Sequence, residues 1–379
     1  MAILDLIEPR LLRVNDVACL KARHKDRHCK ACLACPTGAI HLDGSRVQIE
    51  WARCNECGWC AAVCPVHAVW LDGWNENAVL DIAAPYSQIE FTCSRKENPG
   101  TTRTPNAQVV LVIPCLARLS SDLLTALAAE HTFVWLNDSA CTACLMGERV
   151  QPQILATRDQ ANNLLATLNR DDAVRCCSDT DKLSAARTVL CISPSAQPLS
   201  RREFFSYLTR HAARAAGAAI GIPGAGSEKP ASNRGGTVLG HALTKLGAPE
   251  KDFISSERFA TINVAESCTA CGLCAKFCPT QAIQLRNDER YFALTFLPRD
   301  CLGIPCALCE LFCPADALTI TPGIASRALV GDAQKLHAGT LALCEKCHTL
   351  FAADGEQGLC SICRAVKAKD AALIHDLFK

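Results

Sequence analysis

Between residues 54 and 65 the chain reads CNECGWCAAVCP, with Cys54, Cys57, Cys60 and Cys64 closing on Pro65. Four thiols in so short a stretch restrict what the segment can become. Two cysteines bridge only when their backbones approach from suitable directions, so a disulfide scaffold spaces them widely, whereas a packed set of thiols suits a metal. The 27 cysteines of the 379-residue chain fit that reading. The opening MAILDLIEPRLLRVND has no basic segment followed by an apolar run, and the expectation is a reducing, cytoplasmic setting. No stretch approaches the roughly 18 consecutive apolar residues of a membrane span. With 39 basic against 38 acidic residues there is no general attraction for nucleic acid, so the expected partner is another protein.

The cysteines fall into groups that repeat. Cys19, Cys29, Cys32 and Cys35 precede Pro36, and Cys54, Cys57, Cys60 and Cys64 precede Pro65. Far along the chain, Cys268, Cys271, Cys274 and Cys278 precede Pro279, and Cys301, Cys306, Cys309 and Cys313 precede Pro314. A paired unit has been duplicated. Each complete run matches C-x2-C-x2-C-x3-C-P, so the chain resembles a two-cluster bacterial 4Fe-4S ferredoxin twice over, in the manner of a polyferredoxin.

In that family the fourth cysteine of each run crosses to the other cluster. The resemblance therefore implies that Cys54, Cys57 and Cys60 share a cluster with Cys35, and Cys19, Cys29 and Cys32 share one with Cys64. It likewise groups Cys268, Cys271 and Cys274 with Cys313, and Cys301, Cys306 and Cys309 with Cys278. Two runs depart from the pattern. Four residues separate Cys301 from Cys306 where the pattern has two, a small insertion. In the first run only Cys29 and Cys32 lie in the tight loop, and the third ligand falls to Cys19. If Cys19 is a core thiol, that site holds a three-iron cluster or none; His24 and His28 are alternative ligands, set against a reading of CLKARHKDRHC as a solvated basic loop. AIHLDGSRVQIE, around Asp43-Gly44, and AIQLRNDERYFALTF, around Asn287-Asp288, read as β-hairpins.

Residues 85–195 have another texture. IEFTC, the apolar run QVVLVIPC, TFVWLND and AVRCC read as strands, with SSDLLTALAAEH and QPQILATRDQANNLLATLN as helices between them, the alternation of a parallel sheet. Cys93, Cys115, Cys141 and Cys144 then fall at or beyond the strands' carboxyl ends, which open into one crevice. This block resembles the small iron-sulfur delta subunit of methyl-viologen-reducing hydrogenase, although the paired cysteines expected near its start are reduced to Cys93. The resemblance implies an additional iron-sulfur cluster there, against the alternative that Cys93 and Cys115 are ordinary buried residues. Cys176, Cys177 and Cys191 read as structural.

SRREFF at 200–205 resembles the core of a twin-arginine export signal but lies far from the N-terminus; Ser200 and Glu203 instead form a capping box for a helix through Arg214, followed by a linker. No dinucleotide fingerprint is present, so no nucleotide cofactor is expected. Near the end, Cys344 and Cys347 are followed at a distance by Cys360 and Cys363, two knuckles of a four-thiolate site that suits structural zinc, with rubredoxin-type iron as the alternative. His348 reads as supporting or solvent-facing.

The fold class expected is α+β: two ferredoxin-like two-cluster modules, residues 1–80 and 261–325, flanking a small α/β parallel-sheet domain, 85–195. A helical connector and linker, 196–260, and a zinc-ribbon-like tail, 338–367, complete it. Four 4Fe-4S clusters closed by protein thiolates pass electrons and leave no position for substrate. The function expected is a relay to or from a larger soluble oxidoreductase such as a hydrogenase or formate dehydrogenase. The alternative is a catalytic iron-sulfur oxidoreductase subunit acting at a cluster in the central domain, and the sequence leaves open whether the chain is itself an enzyme.

Overall fold

The computed structural model describes residues 11–16, 19–20, 31–43, 46–130, 133–179, 183–194, 238–246, 251–288, 290–353, 358–360, 363–364 and 366. Cys29, His24, His28, the hairpin residues Gly44 and Ser45, the helix expected over 200–214 and the linker after it lie outside the described residues. The chain divides into two compact units, Met1–Leu246 and Gly247–Lys379.

In the first unit β1 (Leu12–Val14), β2 (Ile40–Asp43), β3 (Arg46–Ile49) and β4 (Val69–Leu71) form two antiparallel pairs, β1 with β4 and β2 with β3. The second pair is the hairpin expected from AIHLDGSRVQIE, but Asp43 is still paired, opposite Arg46, so it turns one residue after the expected Asp43-Gly44. A short helix, α1 (Trp59–Ala62), follows Gly58, and α2 (Glu76–Ala83) is capped by the Asn75 side chain, which accepts from Asn77 N at 3.0 Å and Ala78 N at 3.4 Å.

The rest of this unit is built on a parallel sheet. Its strands are β5 (Gln88–Cys93), β7 (Val109–Ile113), β8 (Phe133–Asn137), β9 (Val174–Cys176) and β11 (Leu190–Ile192), with short β6 (Thr101–Thr102) and β10 (Arg187–Thr188) paired apart from it. The order is β11-β7-β5-β8-β9 and every neighbouring pair is parallel. All five residues of β7 are buried, which is why VVLVI carries no polar alternation. Helices α3 (Ser121–Glu130), α4 (Gly147–Thr167) and α5 (Val238–Leu246) complete the unit. Leu123 and Leu127 of α3, Ile154 of α4 and Ala242 of α5 share one core with Phe91, Leu111 and Leu136 of the sheet. Each of the leucine, isoleucine and phenylalanine side chains, once buried, contributes roughly 1.5–3 kcal/mol.

The first cysteine-rich module does not stand apart from this sheet. Cys57 and Trp59 belong to the same apolar core. Arg118 Nη2 donates to Glu56 O at 2.8 Å, Arg149 Nη1 to Pro36 O at 3.0 Å, and Asn55 Nδ2 to Met146 Sδ at 3.0 Å. The module's loops meet α4 and the turns beyond β7 and β8, at the carboxyl ends of the strands.

The second unit is antiparallel. Strand β12 (Phe253–Ile254) pairs with β17 (Ile324–Ala325), and β13 (Ala260–Val264) with β16 (Leu318–Pro322). A four-stranded sheet runs β14 (Ile283–Asn287), β15 (Tyr291–Phe296), β18 (Gln334–Leu343), β19 (Leu350–Ala352). Helices α6 (Leu273–Phe277), α7 (Leu308–Leu311) and α8 (Ser326–Val330) are short. The β14–β15 hairpin turns one residue later than the sequence suggested. Asn287 is still paired, opposite Phe292, and Asp288 Oδ1 accepts from Arg290 N and Tyr291 N at 2.7 Å each, so the aspartate closes a longer loop with its side chain. Strand β18 was not legible beforehand; it joins the hairpin of the ferredoxin-like module to the C-terminal knuckle in one sheet.

Glu76, in the first turn of α2, accepts from Ser120 Oγ at 2.7 Å, and Ser120 Oγ accepts from Leu123 N at 3.1 Å at the start of α3. Burial pushes the Glu76 carboxyl up to about 7; the Ser120 bond opposes this and Asp122 adds to it. A raised carboxyl stabilises the fold below the unfolded value of about 4.3, and that contribution is lost as pH rises through about 7. Glu76→Gln, which keeps the acceptor, is expected to flatten the fall in unfolding midpoint over that window. An unchanged pH profile in thermal unfolding would contradict the assignment.

Candidate iron-sulfur and metal centres

The second unit encloses two cavities, each lined by four thiols. One is lined by Cys268, Cys271, Cys274 and Cys313 with apolar residues such as Leu285, Phe292 and Leu294. The other is lined by Cys278, Cys301, Cys306 and Cys309 with Ile262, Ile283 and Phe296. In each, three thiols come from one run and the fourth from the other. The crossing is fixed by Phe277 and Phe312, which directly precede Cys278 and Cys313 and stack with centroids 4.2 Å apart. Ala317 N donates to Cys313 Sγ at 3.2 Å, and Cys278 Sγ lies 3.7 Å from Thr280 Oγ1.

The first unit repeats these details. Ala68 N donates to Cys64 Sγ at 3.2 Å, and Cys35 Sγ lies 3.4 Å from Thr37 Oγ1. Three residues after each crossing cysteine, Gly38, His67, Gln281 and Asp316 all have positive φ, from 47° to 64°. The C-P-x-x-A turn is therefore one backbone device used at all four places. Burial, and then the thiols Cys57, Cys35, Cys54 and Cys32, push Cys60 up. Burial, and then Cys301, Cys306 and Cys278, do the same to Cys309. Burial acts first on Cys64 as well, with Cys19 among its further causes, which puts Cys19 beside Cys64. Cys35 is the contrast: burial raises it, but hydrogen bonds from Thr37, Ala39 and Ile40 outweigh that and lower the thiol.

Thiols crowded in an apolar pocket cannot all ionise without a cation among them, so these sets suit iron, a metal for which thiolates are the fitting ligands. Their spacing also separates a cluster from a single ion. Among the described residues, only Cys344, Cys347, Cys360 and Cys363 bring their ligand atoms all within 4.8 Å of one another.

That tail set is tetrahedral in scale. Cys347 and Cys360 Sγ lie 3.7 Å apart, against about 3.8 Å for two thiolates on one ion at a metal–sulfur distance of about 2.3 Å. The β18–β19 turn holds the first pair, with Cys344 N donating to Thr349 O at 3.0 Å and Cys360 N to Cys344 Sγ at 3.3 Å. Hydrogen bonds, that from Cys360 N foremost, bring Cys344 down to about 6. His348 is exposed and takes positive φ, 55°, closing the knuckle with its backbone.

The central thiols gather at one end of the parallel sheet. Cys93 ends β5, Cys115 follows β7, and Cys141 and Cys144 lie in the turn after β8. Cys93 Sγ donates to Pro114 O at 3.3 Å. Burial first pushes Cys115 up to about 12, opposed by Ala117 N and reinforced by Cys57, Cys93 and Cys141. Cys141 is pushed up to about 12 by burial, then by Asp138, Cys93 and Cys144. Cys176 ends β9 and Cys177 follows it, both buried beside Asp138, and Cys191 is exposed on the edge strand β11. Two features escaped the sequence reading: the nearness of Cys57 to Cys115, and the buried Arg118 beside both. Neither has a spacing signature, since the partners lie on different elements.

Residues 267–317 match the 4Fe-4S dicluster domain family and residues 47–70 the 4Fe-4S binding domain family. The shorter match takes in Cys54 to Cys64 and leaves out Cys19 to Cys35, the run with the irregular spacing. No curated protein matches the chain significantly. The chain thus carries two ferredoxin-type 4Fe-4S domains, which make it an iron-sulfur protein of the electron-transfer kind. No described helix is long and apolar enough to cross a membrane.

The insertion between Cys301 and Cys306 depends on Gly303. Its φ is +73°, and a Cβ there would stand 2.3 Å from Glu257 O and 2.5 Å from Arg258 O. Gly303→Ala is expected to cost on the order of 1–3 kcal/mol from backbone strain, with the clash in addition, and to lower iron content. Gly73→Ala, with φ +78° but nothing within 4 Å, should cost only the strain. Equal unfolding midpoints and iron contents for the two variants would contradict this.

Proposed function

We propose that the chain is a polyferredoxin-like relay with four 4Fe-4S clusters. Their ligand sets would be Cys35, Cys54, Cys57 and Cys60; Cys19, Cys29, Cys32 and Cys64; Cys268, Cys271, Cys274 and Cys313; and Cys278, Cys301, Cys306 and Cys309. The observation that carries the reading is the pair of four-thiol cavities in the second unit, each lined by three cysteines of one run and one of the other. When bound, such clusters supply one-electron transfer. The chain's own residues close each site: four thiolates fill the ligand positions, Leu285, Phe292 and Phe296 exclude water, and the N–H groups of Ala68, Gly303 and Ala317 stabilise charge on sulfur.

The central thiols Cys93, Cys115, Cys141 and Cys144 would hold a further iron-sulfur cluster, supported by their shared position at the strand ends and by the order of strands and cysteines resembling the hydrogenase delta subunit. The tail set would hold structural zinc, supported by its tetrahedral spacing. The donor or acceptor would be a larger oxidoreductase, such as a hydrogenase or formate dehydrogenase.

Anaerobically purified protein is expected to contain about sixteen iron atoms in these four sites, with more from the central site. Iron near half that amount would refute the duplicated reading. Cys274→Ala should remove one cluster, about four iron atoms, and lower the unfolding midpoint, because ligation is coupled to folding. Elemental analysis should find about one zinc per chain, lost on Cys360→Ser; a red, iron-containing tail would favour the rubredoxin alternative.

A further inference from the structure

Arg118 lies on the short turn after β7, with its backbone N bonded to Cys115 O at 3.2 Å. Its side chain is 3% exposed. From there it crosses to the first module, where Nη2 donates at 2.8 Å to the carbonyl of Glu56, the peptide that leads into Cys57. The next residue, Gly58, has φ +87°, and a Cβ there would meet Arg118 Cγ at 2.9 Å and Cβ at 3.1 Å. The loop carrying Cys54, Cys57 and Cys60 is thus moulded against this arginine. The guanidinium stands 5.3 Å from the Trp74 ring centroid, and its Nε is buried without a hydrogen-bond partner.

The charged and ionisable groups around it are Glu56, Cys57 and Cys115. Arginine cannot lose its proton in a protein, so the cost of burying this cation must be offset by negative charge nearby. Of the two thiols flanking it, Cys57 comes from the ferredoxin-type loop and Cys115 from the sheet. Both become anionic when they bind iron.

We propose that Arg118 sets the reduction potential of the Cys35, Cys54, Cys57 and Cys60 cluster and of the central thiol site, raising both through one buried positive charge shared between them. The inference rests on the ligand reading given above. Reduction adds one electron to a cluster, and a fixed cation nearby stabilises the added negative charge more when both are out of water. The same arginine marks the approach of Cys57 and Cys115 as the place where these two sites are electrostatically coupled.

The test uses full-length protein purified anaerobically as wild type, Arg118→Gln, Arg118→Lys and Arg53→Gln. Arg53 is the control, an arginine of the same module whose side chain is 53% exposed and therefore screened. Iron and sulfide are assayed first, and midpoints are then measured by EPR during titration with dithionite and mediator dyes. With full iron, Arg118→Gln is expected to lower two midpoints, those of the Cys57 cluster and the central site, each by tenfold or more in the reduction equilibrium, which is about 59 mV for one electron; a fall in one alone would overturn the shared role. Arg118→Lys should stay within threefold of wild type, and Arg53→Gln should not move. Unmoved midpoints in Arg118→Gln, equal falls in the Gln and Lys variants, or loss of iron from both would overturn the role of Arg118. If Arg118→Gln alone loses iron, the Lys variant decides by the same threefold limit. Wild-type iron content too low to fill the Cys57 site would instead overturn the ligand reading.

Discussion

The exchange of thiols between runs is the constraint on which the second unit depends. Cys278 and Cys313 each leave the loop that carries their own run and face the cavity of the other. Neither site is complete unless both helical turns are in place, so the two halves must form together. The stacked pair Phe277 and Phe312 sits at that crossing, and the antiparallel pair β13–β16 ties the ends of the module. So small a fold has little apolar core of its own, and thiol sites that draw on both halves are a way to make it cooperative.

The first unit uses the same crossing but supports it differently. Cys57 and Trp59 are packed into the core of the parallel sheet, so the irregular run from Cys19 to Cys35 does not have to stabilise its module alone. Arg149 reaches Pro36 and Arg118 reaches Glu56, each an arginine of the sheet domain bonded to a backbone carbonyl of the cysteine loops. The buried polar residues follow a similar logic. Glu90 is fully buried, yet Thr102 and Asn137 hydrogen-bond it and Lys96 lies 3.8 Å away, so its charge is compensated inside the sheet.

The cysteine runs that line the cavities of the second unit were legible because spacing alone brings three thiols onto one loop. The parallel strands were legible for a related reason: an unbroken apolar stretch such as Val109–Ile113 has few alternatives to burial on both faces. The β14–β15 turn was misjudged by one residue, because the choice was made by Asp288 bonding back to the backbone, a side-chain effect that periodicity does not carry.

The sequence by itself determined the grouping of the thiols, the repeat, and the strand-and-helix order of the central block, since each is encoded in local spacing. Only the tertiary structure decided that the first module and the parallel sheet share a core, and that β18 joins the ferredoxin-like hairpin to the C-terminal knuckle. It alone brought Cys57 and Cys115 close to one buried arginine. Those relations depend on residues far apart in the chain, and their partners are chosen by packing and by the cost of burying charge, neither of which leaves a pattern along the sequence.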